Sequence, residues 1–316
     1  MIGDRLLRVN TDRQRRVADP RVQSGPAPRD FGKAVEIRMI LANLVRNLIH
    51  GFKSRQEPQQ QFDVAVVIQT VLRPSLERAV ESVYAQDFPG RIQILVGIDK
   101  RLGDPRLIEK LQRRCPPNMH LTVVDPGYST SVRHGSIYSN QFGGALRAVL
   151  TYLANSRYVA YLDDDDWFAP DHLATLRNAI EGVDWAFSYR WYVNPFDSLP
   201  ICVDTWENMG PGKGIFSERF GGFVCPSTLM LDKVKTHFVL PNWCIAMGPA
   251  GDGEDRVLLA ALLRSNLTWR CTGAATVFYV IKPEDGMHPD RERFIASTGY
   301  DLAKLRRDER HAFARV

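Results

Sequence analysis

Apolar positions along this chain follow two rhythms. Val64–Ile68, Ile92–Ile98 and Tyr158–Leu162 are nearly continuous apolar runs, with Leu121–Val124 a shorter one. Short runs of this kind predict strands buried on both faces, as in a parallel sheet. Between them the spacing is helical: Leu76, Val80 and Val83 after Pro74, the segment Pro105–Arg114, Leu146 to Leu153 after Gly143-Gly144, and Leu173, Leu176 and Ile180 after Pro170. Strands alternating with helices at this spacing predict a doubly wound α/β body beginning near Phe62. The alternation then ends. Trp185–Val193 and Ile201–Asp204 predict antiparallel strands, Val257 to Leu262 a helix, and Ala275–Ile281 a last strand, so a smaller mixed region follows the parallel one.

Upstream of the body the pattern differs. Residues 1–34 are Arg-rich with scattered Pro and Gly and little periodicity, a composition that predicts disorder. Ile37, Leu41, Leu44, Val45, Leu48 and Phe52 fall on one face of a helix whose other side carries Arg38, Arg46 and Lys53. Such a helix over residues 35–53 could dock on protein or lie on an anionic membrane surface, and 54–61 reads as a linker. Residues 1–61 carry 12 Lys/Arg against 6 Asp/Glu, which accounts for the whole net charge of +5. The body lacks a basic patch with interleaved aromatics, so no nucleic-acid partner is expected.

Five cysteines (115, 202, 225, 244, 271) form no C-x-x-C pair and no zinc spacing, which suits reduced thiols and a cytoplasmic setting. No apolar stretch reaches membrane-spanning length, and no signal-peptide core is expected at the N-terminus.

The strongest chemical signal is Asp163-Asp164-Asp165-Asp166, directly after a predicted buried strand. Four adjacent carboxylates stay ionised cheaply only if solvated or bound to a cation. In extended backbone, Asp163 and Asp165 would face one side and Asp164 and Asp166 the other. The first strand lacks G-x-G-x-x-G, and no G-x-x-x-x-G-K-[ST] occurs, so a bound diphosphate would be held by a hard ion such as Mn2+ or Mg2+. Further along, Gly251-Asp-Gly-Glu-Asp255 opens an apolar helix. Asp255 is therefore either a dipole-favoured helix acid or a base. Trp206 and Trp243 could stack on a ligand or sit in the core. Gly221-Gly222 with Ser227-Thr228 suggests close backbone approach to a ligand. His288 could complete a metal site.

Taken in order, Val66-Val-Ile-Gln-Thr-Val-Leu-Arg-Pro74, Ile94-Leu-Val-Gly-Ile-Asp99, Tyr161-Leu-Asp-Asp-Asp-Asp-Trp167 and Gly253-Glu-Asp255 resemble the inverting glycosyltransferases of family 2 over residues 62–285. The resemblance implies a GT-A-type Rossmann-like, mainly parallel sheet with a smaller mixed C-terminal acceptor region, and a tail or helix over 286–316. It implies transfer from a nucleoside-diphosphate sugar, UDP ranked ahead of GDP, to a carbohydrate or glycolipid, as in polysaccharide synthesis. Thr70, Arg73, Asp99, Asp163 and Asp164 would lie at the nucleotide, with Asp163-x-Asp165 the D-x-D motif and Asp165 the metal ligand. Asp255 would be the general base and Glu254 its neighbour on the acceptor side. Val71 and Leu72 stand where the family has an aromatic residue and Asn, Lys100-Arg101 follow Asp99 where a second acid is usual, and Asp164-x-Asp166 is an alternative register. A nucleotidyltransferase would need a glycine-rich basic loop after the first strand, which Thr70–Pro74 does not supply. A non-catalytic carbohydrate- or partner-binding module is the other alternative.

Overall fold

In the computed structural model of the protein, the described residues are 49–53, 61–283, 285 and 287–305. The basic segment 1–34, residues 35–48 of the expected amphipathic helix and most of the linker lie outside them. The end of that helix is not helical. Residues Ile49–Lys53 form strand β1, antiparallel to β4 (Met119–Val124), with Ile49 level with Val124 and Lys53 with His120. Gly51 weakens a helix here by about 1 kcal/mol, while the edge of β4 offers unpaired backbone groups that only a strand can satisfy.

The body follows the sequence pattern. β2 (Val64–Thr70) is central, parallel to β3 (Ile92–Ile98) on one side and to β5 (Tyr158–Asp163) on the other. Helix α1 (Leu76–Tyr84) joins β2 to β3, α2 (Arg106–Arg114) joins β3 to β4, and α3 (Gly144–Leu153) leads back across to β5. After β6 (Trp167–Phe168) and α4 (His172–Ala179) come β7 (Trp185–Val193) and β8 (Pro200–Val203), paired antiparallel as expected. β9 (Gly210–Pro211), α5 (Ser217–Phe220) and β10 (Gly222–Phe223) make a small hairpin unit. β11 (Leu229–Asp232), α6 (Lys233–Thr236), α7 (Glu254–Arg264), β12 (Trp269–Val280) and α8 (His288–Ser297) complete the order. The main sheet runs β1-β4-β3-β2-β5-β11-β7-β12-β6 with β8 beside β7. The stretch from β4 to β5 is continuously parallel, β11 enters antiparallel between β5 and β7, and β12 runs parallel to β7.

Strand alternation assigns the two faces. Val64, Val66, Ile68, Ile92, Ile94 and Val96 pack with Leu76, Val80, Leu111, Leu173 and Leu176 beneath α1, α2 and α4. Ala65, Val67 and Leu95 pack on the opposite face with Leu146, Leu150, Trp243, Leu258 and Leu262 beneath α3 and α7. Each fully buried aliphatic side chain contributes roughly 1.5–3 kcal/mol, so these two layers stabilise the fold and leave the polar strand ends free for other work. A third, smaller cluster of Tyr192, Ile281, Ile295 and Leu305 fastens α8, so the segment after β12 is a docked helix. Among the described residues, no helix is long and apolar enough to cross a membrane.

Candidate active site

Successive crossovers carry the chain from β2 to β3 and β4, then back to β5 on the far side of β2. The strand order therefore reverses between β2 and β5, and the crevice beyond their C-terminal ends is where open α/β sheets take ligands. The four acids lie there. The last register pair of the two strands is Gln69 with Asp163. Beyond it the chain must reverse to deliver β6 antiparallel to β12, and the Asp166 N–H donates to the Asp163 carbonyl at 3.1 Å. The acids thus occupy a tight turn and do not alternate. Asp163 and Asp166 come together, with ligand atoms within 4.8 Å of each other and of Cys225 Sγ.

Each carboxylate has a different set of partners. Asp163 accepts from Arg147 Nη2 at 2.7 Å, and Asp164 from Thr70 Oγ1 at 2.6 Å and Arg73 Nη1 at 3.0 Å. Asp165 takes Arg73 Nη1 at 2.9 Å and Lys282 Nζ at 2.6 Å. Asp166, fully buried, accepts from Ser227 Oγ at 2.8 Å and from the Val280 N–H at 3.4 Å. Burial pushes the Asp164 carboxyl up to about 6, against the pull of Arg73. Burial, reinforced by Asp165 and Asp163, drives the Asp166 carboxyl well above the ordinary range. Of the four, Asp166 has no ion-pair partner among the described residues.

The first loop is built around this demand. Leu72 adopts a left-handed φ of 65° and is buried, a conformation that costs a bulky residue about 1–3 kcal/mol. Its N–H donates to Thr70 Oγ1 at 2.8 Å, and the next residue is Arg73, paired with Asp164 and Asp165. Asp99 lies at the end of β3, where its carboxylate accepts from Ser129 Oγ, Thr130 N and Thr130 Oγ1 at 2.5–2.7 Å. It ties the loop after β4 to the sheet.

On the opposite wall, Gly253 in a left-handed conformation caps α7, whose first residues are Glu254 and Asp255. Glu254 is buried and Asp255 partly exposed, beside an apolar pocket lined by Val224, Leu229, Trp243 and Leu258. Burial raises both carboxyls above their ordinary values, and both feel the charges of Arg147 and Asp163. Arg147 stands between the two acid groups. It is buried, its guanidinium lies 4.7 Å from the Trp243 ring centroid, and its Nη1 has no partner among the described residues.

Four of the residues expected at the acceptor are engaged by other parts of the protein. Trp243 is 0% exposed and packs against Tyr161 with ring centroids 5.2 Å apart, so it is core and does not stack on a sugar. Trp206 stacks on Phe294 at 5.7 Å and 9°, holding α8. Gly222, at φ 117°, gives its space to the backbone of β9, because a Cβ there would strike the Gly210 carbonyl. Ser227 is buried and clips the acid turn, bonding Asp166 and receiving the Asp163 N–H at 3.1 Å. His288 opens α8, with Nε2 3.4 Å from Glu292, and is not among the groups close enough to share an ion with the acids. Arg147 and Lys282 were not singled out from the sequence. Lys282 follows β12 by two residues and Arg147 lies in a helix, and nothing local marks either as facing an acid.

The donor set fits a hard divalent ion. Burial pushes the Cys225 thiol up to about 12, so it stays protonated and is a poor ligand for such an ion. Asp163 and Asp166 supply two carboxylates, as many as an ion needs when it also binds phosphates and water. The raised Asp166 carboxyl and the unpartnered Arg147 Nη1 mark a site with missing charge and missing acceptors.

No protein-family model matches the chain, and no curated protein sequence matches it. Solved structures do. Residues 1–349 of TarS from S. aureus, in complex with UDP-GlcNAc, superpose with a TM-score of 0.52 at 16% identity, over 76% of this chain and 68% of that one. A longer S. aureus TarS structure gives a TM-score of 0.49 at 17% identity over 76% of this chain, which spans 40% of the TarS chain. The mannosyltransferase PcManGT from Pyrobaculum calidifontis, in complex with GDP-Man and Mn2+, gives 0.46 at 16% identity over 84% of this chain and 69% of its own. Likeness at this identity is likeness of fold. The chain shares the mixed α/β, mostly parallel sheet of a structure that holds a nucleotide sugar.

Proposed function

We propose that the protein is a metal-dependent inverting glycosyltransferase, moving a sugar from a nucleoside diphosphate to an acceptor hydroxyl. The observation that carries this reading is the turn of four acids at the switch point of the sheet, near a second acid pair at the start of α7. A divalent ion, Mn2+ or Mg2+, held by Asp163 and Asp166 with Asp165 beside them, would offset the charge that develops on the departing diphosphate. Thr70 and Ser227 fix the turn, and Arg147 keeps Asp163 oriented. Asp255 is the general base, because it is the less buried member of its pair and its raised carboxyl suits proton uptake. The acceptor oxygen forms a bond to the anomeric carbon as Asp255 takes its proton, and the carbon–oxygen bond to the diphosphate breaks with its electron pair. One displacement with no protein nucleophile inverts the centre. A carbohydrate or glycolipid acceptor and a UDP-sugar donor are the working assignments.

Thermal unfolding with UDP, GDP and their sugars, each with and without Mn2+, tests the reading. One nucleotide should stabilise the protein only with metal, and Asp163→Asn should remove the effect. Absence of any metal-dependent shift would favour a binding module that takes carbohydrate or protein.

A further inference from the structure

The three cations that form ion pairs with the acid turn among the described residues are not equivalent. Arg147 is buried and belongs to the floor, with a side chain 5% exposed. Arg73 and Lys282 remain 48% and 38% exposed, and they converge on one oxygen, Asp165 Oδ2, at 2.9 and 2.6 Å. Both are placed by rigid neighbours. Ile281, buried and bonded through its N–H to the Val193 carbonyl at 3.2 Å, fixes the chain just before Lys282. Asp285, three residues on, is held by Arg291 at 2.7 Å, and Arg291 in turn by Glu207 at 2.8 Å. Two accessible cations thus share Asp165, Arg73 also reaching Asp164 at 3.0 Å, while the adjacent Asp166 has no ion-pair partner among the described residues.

We propose that Lys282, with Arg73, is the diphosphate-binding side chain of this site, resting on Asp165 while no donor is present. The inference rests on the glycosyltransferase reading. A metal–diphosphate complex supplies the acids with a cation and brings phosphate oxygens that need donors. An ammonium on a flexible stem and a guanidinium fork are suited to those oxygens. Lys282 and Arg73 can then move to the phosphates without leaving Asp165 unpaired. It follows that a free divalent ion at Asp163 and Asp166, opposed by the ammonium of Lys282 resting on the adjacent Asp165, binds weakly, and that metal and diphosphate bind together.

Lys282→Met should therefore produce effects of opposite sign. Mn2+ binding without nucleotide, followed by the electron paramagnetic resonance signal of the free ion, should become several-fold tighter as the opposing charge is lost. Calorimetric affinity for UDP or GDP with Mn2+ should fall by about tenfold or more, the loss expected for one charge-assisted hydrogen bond. Lys282→Arg should restore the nucleotide affinity. Unchanged binding in Lys282→Met, or weakening of metal and nucleotide together, would overturn the proposal. If the wild-type protein binds no nucleoside diphosphate with Mn2+, the glycosyltransferase reading fails as well. Wild-type binding with an indifferent Lys282→Met rejects the lysine alone.

Discussion

Two clusters of buried charge lie a few residues apart along β12, and they are built in opposite ways. Behind Tyr279, Arg190 pairs with Asp204 at 2.8 Å and with Glu207 at 2.7 Å, their side chains no more than 2% exposed. Glu207 also accepts from Tyr192 at 2.7 Å and from Arg291 at 2.8 and 3.1 Å, while Arg190 lies 4.0 Å from the Tyr279 ring centroid. Both guanidiniums share Glu207, and each has a second carboxylate, Asp204 for Arg190 and Asp285 for Arg291. Burial opposes the charge on Arg190, yet Asp204 and its other neighbours hold it well above the ordinary arginine value. At the acid turn Asp166 has no ion-pair partner among the described residues, and burial raises both Asp164, against the pull of Arg73, and Asp166. Burial of charge is common to both. What separates a strut from a site is whether the charge is balanced within the protein.

The largest effect should come from the α7 pair. Asp255→Asn should lower turnover by about 10²–10⁴-fold, the usual contribution of a positioned base, while metal-dependent nucleotide binding persists. Glu254→Gln, the buried neighbour, should cost much less. The reverse ranking, in steady-state rates with the donor found by thermal shift, would move the base to Glu254.

Next comes the strut. Glu207→Ala leaves Arg190 and Arg291 buried without their common partner and should destabilise the fold by about 3–5 kcal/mol in denaturant titration. Nucleotide affinity of the fraction that stays folded should change little. A small loss of stability together with lost binding would show that the network serves the ligand, and the contrast between the clusters would collapse.

How much of this was legible in the sequence follows from what each element answers to. β2, β3 and β5 were read correctly because they are buried on both faces, so their composition alone reports their environment. β1 was misread as helix, since Ile49 to Phe52 continue a helical spacing and only the free edge of β4 decides otherwise. The acids were legible as a group and their geometry was not: the turn is imposed by the pairing of β6 with β12, over a hundred residues distant in sequence. Trp206, Trp243, Gly222 and Ser227 looked like ligand contacts because aromatic, glycine and hydroxyl residues serve ligands and packing alike. In each case the deciding partner, such as Phe294, Tyr161, Gly210 or Asp166, is remote in the chain.

The smallest effect is also the most direct measure of imbalance. Asp164 is buried, and its carboxyl is raised from 3.8 to about 6. The folded protein therefore holds a proton there that the unfolded chain releases near pH 4. Its contribution to stability is complete below about pH 4 and is lost as pH rises through 6, to a limit of roughly 2–3 kcal/mol. His172 works the other way. Burial depresses it to about 3, so the folded state disfavours a proton that the unfolded chain binds below about 6.5. The two slopes overlap, and the raw pH profile cannot separate them, but the difference between wild type and Asp164→Asn can. The variant should gain on the wild type as pH rises from 4 to 8, and saturating Mg2+ should shrink that gain by giving the turn its cation. A flat difference for Asp164→Asn would mean that the turn is balanced after all, and the distinction between site and strut would lose its physical basis.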